Sequence, residues 1–303
     1  MPHPRTVVAG QLARDLVLRV DEMPAAGQSA DADLRREMLG GKGANQAVAL
    51  AQLGMSPALV AVCGTDRAGG ELLDQARRDG VDVSRVVRRD GAPTGLIVEA
   101  LDASGGWRYL QHLPPPMLLT EADVSRAADL IGTAEAVLVQ LQQPPRAALA
   151  AARLGRDAGA LVVLDGAPEP GPERDALLAA ADVLRADAHE ARSLTGCPDD
   201  DPDALLAAAR RLMRSGPGLL ALGVSGGNLF VWRDGHLLVP LTDEKTVDTT
   251  GAGDALTAAL TAALLRGRPP EEAARYAVAA AGVTVRHPGG RPDLHESELR
   301  SRT

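Results

Sequence analysis

The sequence predicts an α/β fold in which a mostly parallel sheet carries helices on both faces and a small separate β sheet lies beside it. Three observations predict this fold: short apolar runs alternate with helix-like segments, glycines follow several of those segments, and two stretches interrupt the alternation. Alternation of this kind is typical of parallel sheets, because a crossover helix connects each strand to the next. We expect one such domain over residues 1–303.

The individual elements follow from hydrophobic periodicity. Buried strands are expected at the apolar runs Thr6–Ala9, Ala58–Cys63, Ala136–Gln140, Ala160–Asp165 and Gly218–Val224. Helices are expected at Ala44–Leu53, Gly69–Asp79, Glu121–Ile131, Arg146–Ala158, Asp203–Arg214, Asp254–Arg266 and Glu271–Val285. Several of these helices are followed by a glycine, at Gly54, Gly80, Gly159 and Gly267. Glycine is favoured just past a helix end because it adopts left-handed backbone conformations there.

The two interruptions predict a small β lid built from about residues 12–40 and 94–114. Asp15–Leu39 contains no clear helix, and Thr94–Leu101 and Trp107–Leu113 have the pattern of a hairpin around a glycine-containing loop at residues 102–106. Apolar residues lie on both faces of Thr94–Leu101, as expected if one face covers a substrate and the other a partner subunit. A hairpin that packs on its own domain is the alternative.

Composition excludes some classes of function. The chain is 45% hydrophobic but only 2% aromatic, so its core must be aliphatic. A net charge of −8 argues against nonspecific nucleic-acid binding, which needs a basic surface. Cys63 and Cys197 fit neither a metal-ligand spacing nor a disulfide framework. The sequence has no apolar leader and no run long enough to span a membrane, so we expect a cytoplasmic protein.

The stretch Asp248–Asp254 leads directly into a helix and predicts an anion site. Glycines let the backbone approach a ligand, and the free amides and positive end of the helix attract negative charge. Asp254 would gain nothing from an adjacent phosphate, so its expected use is as the base that deprotonates a hydroxyl attacking that phosphate. A glycine-rich turn with an N-capping aspartate is the alternative.

A second glycine turn, Gly40–Ala49, also leads into a helix. Lys42 and Asn45 stand at its mouth, where they can donate hydrogen bonds to sugar hydroxyls or to a phosphate. The turn is not a Walker A loop, because Gly43 rather than serine or threonine follows Lys42.

The two turns, in this order, resemble the two signatures of the PfkB family of carbohydrate kinases. The sequence GGKGANQA is most similar to the ribokinase branch, and DTTGAGDA is similar to the family's C-terminal signature. The resemblance runs from Val7 to about Pro292. It implies a ribokinase-like three-layer sandwich, with a central mostly parallel sheet and a small β-sheet lid over the sugar that is often shared in a dimer.

The resemblance also implies roles for individual residues. Asp254 would be the catalytic base, and an anion hole would be formed by Gly251, Ala252 and Gly253. Sugar binding would involve Asp15, Gly41, Lys42, Asn45 and Gln142, together with Asp254. ATP binding would involve Asp187, Gly223, Ser225, Gly226 and Val278.

Metal sites are implied in the same way. Asp187 and Glu190 resemble the family's Asn-x-x-Glu element and would hold Mg²⁺ through water, although the pair is also a variant of the helix capping box. Asp248 and Thr250 would bind a monovalent cation such as K⁺.

The resemblance implies an ATP-dependent, Mg²⁺-requiring kinase that phosphorylates O5 of ribose. Ala13, Gln142 and Asp187 depart from the branch, which usually has Asn, Glu and Asn at these positions. Another pentose, a ketohexose or a nucleoside is therefore an alternative acceptor, and a catalytically weak sugar- or nucleotide-binding regulator is an alternative function. A nicotinamide enzyme is not favoured, because Val7–Leu12 lacks the glycine fingerprint after the first strand.

Overall fold

The computed structural model describes residues 5–104, 106–198, 200–241, 246–286 and 290–302. The strands in these ranges are β1 Arg5–Ala9, β2 Ala13–Val20, β3 Ala32–Gly40, β4 Ser56–Val60, β5 Val62–Gly64, β6 Val87–Arg89, β7 Leu96–Asp102, β8 Trp107–His112, β9 Ala136–Gln140, β10 Leu161–Asp165, β11 Val183–Ala186, β12 Leu219–Val224, β13 Gly227–Trp232 and β14 Gly235–Pro240. The helices are α1 Lys42–Gln52, α2 Arg67–Arg78, α3 Glu121–Ser125, α4 Ala128–Ile131, α5 Pro145–Asp157, α6 Arg174–Ala180, α7 Ala188–Thr195, α8 Pro202–Leu212, α9 Ala252–Leu265, α10 Pro270–Thr284 and α11 Glu296–Arg300.

Within the described residues the main sheet has eight strands, in the order β14-β13-β12-β11-β10-β9-β1-β4. The strands from β12 to β4 are parallel, and β13 and β14 extend the sheet as an antiparallel hairpin. The parallel strands end at one edge of the sheet, where α/β folds commonly bind ligands. The loops after β1, β9, β10, β11 and β12 therefore meet at this edge.

A separate sheet, called the small sheet below, consists of β3, β2, β7 and β8 in that order. β2 pairs antiparallel with β3 and parallel with β7, and β7 and β8 form an antiparallel hairpin. Gly105, in the loop of this hairpin, lies outside the described residues. The predicted fold class, a mostly parallel central sheet with a small separate sheet, is confirmed.

Two apolar layers pack against the main sheet. One is built largely from α1, α9 and α10, and the other from α5 and its neighbours on the opposite face. Alanine, leucine and valine supply most of both layers, in agreement with the low aromatic content. α9 is buried along most of its length, so its first turn is fixed by packing rather than by solvent-exposed contacts.

Several element predictions differ from the structure. The run Ala58–Cys63 is divided between β4 of the main sheet and β5, which pairs with β6 in a third sheet. Both pieces are buried, so the apolar pattern does not show where the chain changes sheets. The predicted helix Glu121–Ile131 is likewise two short helices, α3 and α4. No helix in the described part of the chain is long and apolar enough to cross a membrane.

Candidate active site

The carboxyl edge of the main sheet and the small sheet enclose a cavity of about 560 Å³. This volume is in the range of pockets that hold small molecules. The lining includes these residues predicted from the sequence: Asp15, Gly41, Lys42, Asn45, Gln142, Asp187, Thr250, Gly251, Ala252, Gly253 and Asp254. It also includes residues to which the sequence prediction assigned no individual role: Gln11, Ile97, Glu99, Trp107, Tyr109, Gln111, Arg185 and Thr249.

The first turn of α9 forms one wall of the cavity. Gly251 precedes the helix with a φ of 73°, and a Cβ at this position would overlap the carbonyl of Gly290. A Cβ on Gly253 would lie 2.5 Å from Nη2 of Arg185. No side chain caps α9 in the described structure, so no side chain occupies its first amides at the cavity. The Arg185 guanidinium lines the same cavity. This arrangement suits an anion.

Asp254 is the third residue of α9 and is buried at the cavity wall. Asn45 Nδ2 donates to one carboxylate oxygen at 3.3 Å, and Gln46 Nε2 donates to the other at 3.1 Å. Burial and the nearby charge of Asp165 raise the pKa of Asp254, against the opposing effects of Lys42 and the two amides. A carboxyl group with a raised pKa beside a cavity is suited to general-base chemistry.

Asp165 organises the groups around Asp254. It ends β10 and accepts a hydrogen bond from Gln46 Nε2 at 2.7 Å and one from Arg185 Nη1 at 3.1 Å. Gln46 therefore joins the two carboxylates, and Arg185 balances the charge of Asp165. A charged residue within the otherwise apolar strand β11 was the available sequence signal for Arg185, but β11 itself was not predicted.

Asp15 lies on β2 of the small sheet and lines the cavity. Its carboxylate fills the space that a Cβ on Gly40 would occupy, which explains why glycine stands there. Burial first, and then the charges of Glu99 and Asp254, raise the pKa of Asp15 to about 8. Asp15 Oδ1 is buried and has no hydrogen-bond partner among the described residues. Such an oxygen is costly to leave unpaired, so it suits a ligand hydroxyl.

Three glutamines continue the wall between β1 and β9. The backbone amide of Gln11 donates to Gln140 Oε1 at 2.7 Å, and Gln140 Nε2 donates to Gln142 Oε1 at 3.1 Å. Gln142 is exposed at the cavity, whereas Ala13 is fully buried on β2. The chain thus presents an amide, not a carboxylate, at the position of Gln142.

Asp187 and Glu190 form a reciprocal capping box at the start of α7. The amide of Asp187 donates to Glu190 Oε2, and the amide of Glu190 donates to Asp187 Oδ1, both at 2.8 Å. This is the alternative that the sequence left open. The second oxygen of each carboxylate takes no part in the capping box, and Asp187 lines the cavity. Mg²⁺ is commonly held by one or two carboxylates together with water and phosphate oxygens, so these donors fit the ion.

Four residues predicted to bind ATP do not line the cavity. A Cβ on Gly223 would lie 2.7 Å from the Ala188 amide, so Gly223 lets β12 pack closely on the start of α7. Ser225 and Gly226 are exposed in the turn between β12 and β13, and Ser225 borders a separate open depression. Val278 is only 3% exposed and belongs to the core, because α10 is apolar around most of its circumference.

The small sheet contacts the turn that precedes α9. Thr250 Oγ1 donates to Glu99 Oε1 at 2.8 Å, and the Tyr109 hydroxyl donates to the same oxygen at 3.0 Å and contacts Thr250 Oγ1. The Thr250 amide in turn donates to Asp248 Oδ1 at 2.8 Å. Glu99 is the sole charged residue among the apolar residues of Leu96–Leu101, and this isolated charge is the sequence feature from which the contact could have been predicted.

Comparison with known proteins identifies the family. The profile of the pfkB family carbohydrate kinases matches residues 4–297. Ribokinase of Arabidopsis thaliana is 30% identical over 306 residues, which cover 96% of this chain and 78% of that protein. Fructokinase-1 of Oryza sativa subsp. japonica is 31% identical over 278 residues, which cover 84% of each. The structure of Arabidopsis thaliana ribokinase complexed with ribose and ATP matches with a TM-score of 0.82 at 26% identity, over 99% of this chain and 98% of that one.

Proposed function

Because the chain belongs to the pfkB family of carbohydrate kinases, we propose that it transfers the γ-phosphoryl group of ATP to the primary hydroxyl of D-ribose. It is a ribokinase-type sugar kinase, a phosphotransferase with a sugar hydroxyl as acceptor. The observation that carries the proposal is the placement of Asp254, at the first turn of α9, in the same cavity as the unpartnered oxygen of Asp15. Ribose is the first acceptor to test because relatives named ribokinase cover nearly the whole chain.

The residues have distinct roles in this proposal. The sugar hydroxyls bind to Asp15, Gly41, Lys42, Asn45 and Gln142. Asp254 accepts the proton of the attacking sugar hydroxyl. The hydroxyl oxygen forms a bond to the γ-phosphorus while the bond from that phosphorus to the β-phosphate oxygen breaks, so that ADP leaves. The amides of Gly251, Ala252 and Gly253 stabilise the charge on the transferring group.

The nucleotide lies, in this proposal, between the first turn of α9 and the turn after β12. Asp187 adjoins the phosphates, and Gly223, Ser225 and Gly226 lie along the nucleotide. Val278, which is buried in α10, supports the base site by packing beneath it rather than by contacting the base. Asp187 and Glu190 would hold Mg²⁺ through water, and this ion neutralises phosphate charge when bound. Asp248 and Thr250 would hold K⁺.

We also propose a cytoplasmic homodimer that forms through the outer face of the small sheet, with neither nucleic acid nor membrane as a partner. Alternate residues of β7 and β8 point away from the cavity, and among them Leu110 is 72% exposed. An apolar side chain exposed to this extent supports a covered face in the assembled protein.

The experiment is to measure ADP formation from ATP with D-ribose, other pentoses, ketohexoses and nucleosides, with and without Mg²⁺ and K⁺. We expect acceptor-dependent ADP formation that stops when Mg²⁺ is chelated. Turnover of another acceptor but not of ribose would indicate that Ala13 and Gln142, which differ from the residues usual in the ribokinase branch, change the acceptor specificity. Binding without turnover of any acceptor would contradict the kinase proposal and favour the regulator.

A further inference from the structure

Aromatic side chains are scarce in this protein, and their distribution is uneven. The chain has two Trp, two Tyr and one Phe. Tyr276 and Phe230 are completely buried, and Trp232 packs against the core. The remaining two, Trp107 and Tyr109, are 50% and 37% exposed on β8, where both line the cavity. Large rings left partly bare at a cavity usually mark a surface that a ligand covers.

The two rings form one unit of fixed geometry. Their centroids are 4.7 Å apart and their planes are inclined by 55°. The Tyr109 hydroxyl is held by Glu99 and Thr250, so the orientation of its ring is fixed before any ligand arrives. A preorganised ring loses little conformational entropy on binding.

The strand register locates this pair relative to the proposed sugar site. Gln111 pairs with Ile97, which pairs with Asp15. Trp107 lies four residues from Gln111 along β8, opposite Leu101. Each step of two residues along a strand is about 7 Å. A group bound against Trp107 and Tyr109 would therefore continue from a sugar held at Asp15, along the inner face of the small sheet.

We propose that Trp107 and Tyr109 bind a heteroaromatic base attached to the ribose, so that ribonucleosides, phosphorylated at the same primary hydroxyl, are better acceptors than free ribose. The inference rests on the proposed sugar-kinase function. A planar base can stack on the exposed ring faces, a favourable contact that tolerates different bases. The Gln111 side chain also lines the cavity and can exchange hydrogen bonds with polar atoms of the base. Free ribose would leave both rings uncovered.

The kinetic test compares inosine, cytidine and D-ribose as acceptors in wild type, Trp107→Ala, Trp107→Phe and Leu238→Ala. Leu238 on β14 is a matched control, because it is 47% exposed but lies on a different sheet. We expect lower KM values for the nucleosides than for ribose in wild type. From the usual strength of base–aromatic stacking, Trp107→Ala should raise the nucleoside KM about ten- to a hundredfold. The KM for ribose and that for ATP should change less than about twofold. Trp107→Phe should restore most of the affinity.

Turnover of ribose with no turnover of nucleosides would overturn the inference and leave the kinase proposal intact. An increase in the KM for ATP alone would also overturn it, because the rings would then contact the nucleotide. Equal losses for all substrates, accompanied by a change in oligomeric state, would show that the rings belong to a subunit interface.

A binding measurement that does not depend on turnover completes the test. Trp107 and Trp232 are the two tryptophans of the chain, so Trp107→Phe leaves Trp232 as the sole indole emitter. Inosine should quench the fluorescence of wild type but not that of Trp107→Phe, and D-ribose should quench neither. Quenching of equal size in both proteins would contradict a base stacked on Trp107.

Discussion

Asp254 combines burial, a raised pKa and hydrogen bonds to two amide side chains. The variant Asp254→Asn keeps the shape of the side chain but removes its ability to accept a proton. We expect kcat to fall by about a hundredfold or more, with acceptor affinity retained within a few-fold, because base catalysis contributes on this scale. Initial rates and calorimetric binding of the acceptor measure the two effects separately.

The matched control is Asp74→Asn, the same chemical change at an exposed residue of α2 that pairs with Arg77. It should leave kcat unchanged. Near-normal turnover of Asp254→Asn would contradict its assignment as the base.

Asp15 makes the stability of the ligand-free protein depend on pH. Its pKa is raised from 3.8 to about 8 by burial and by the charges of Glu99 and Asp254. Between these two values the folded protein holds a proton that the unfolded chain has released, so the free energy of unfolding decreases as the pH rises. One group contributes at most about 1.4 kcal/mol per pH unit in this window.

The variant Asp15→Asn removes this contribution, and its unfolding free energy should therefore fall less steeply than that of wild type between pH 4 and pH 8. Urea denaturation at several pH values provides the comparison. Parallel curves for the two proteins would show that Asp15 is not protonated in the folded state.

At the scale of elements, the start of α1 depends on a close approach to the end of β1. A Cβ on Gly43 would lie 2.7 Å from the carbonyl carbon of Gly10 and 2.8 Å from the amide nitrogen of Gln11. These are backbone atoms that cannot rotate away. Gly43→Ala should therefore lower the free energy of unfolding by about 1–3 kcal/mol, as overpacking does, and urea denaturation measures the change.

Gly70→Ala is the matched control for this prediction. Gly70 lies within α2 with no atom of the described residues within 4 Å of its missing Cβ, so alanine should raise the free energy of unfolding by up to about 1 kcal/mol. Equal effects of the two substitutions would contradict the close packing of β1 against α1.

Much of the main sheet could be predicted from the sequence, because its central strands are continuous apolar runs. β11, β13 and β14 could not be predicted in this way, since β11 contains Arg185 and the hairpin mixes exposed with buried positions. The two glycine turns carry local sequence signals and were identified. Glu99, Tyr109 and Arg185 reach the cavity from elements distant in the chain, and only the three-dimensional structure brings them together.

At the scale of the whole molecule, the proposed dimer predicts a simple consequence for Leu110. This residue is 72% exposed on the small sheet, on the face that points away from the cavity. Leu110→Glu should shift a dimer to monomer, because it would bury an unpaired charge in the interface. Analytical ultracentrifugation measures the change, and a wild-type protein that is monomeric at micromolar concentration would contradict the proposal.

The central claim is that one cavity joins an acceptor site at Asp15 to a phosphoryl-transfer site at Asp254. The most direct test is to incubate the protein with ATP, Mg²⁺ and D-ribose or inosine, and to locate the phosphate in the product by ³¹P and ¹³C NMR. The account predicts a phosphate ester on the primary hydroxyl, formed in equal amount to ADP. ADP formation without a phosphorylated acceptor, or an ester at a different hydroxyl, would contradict it.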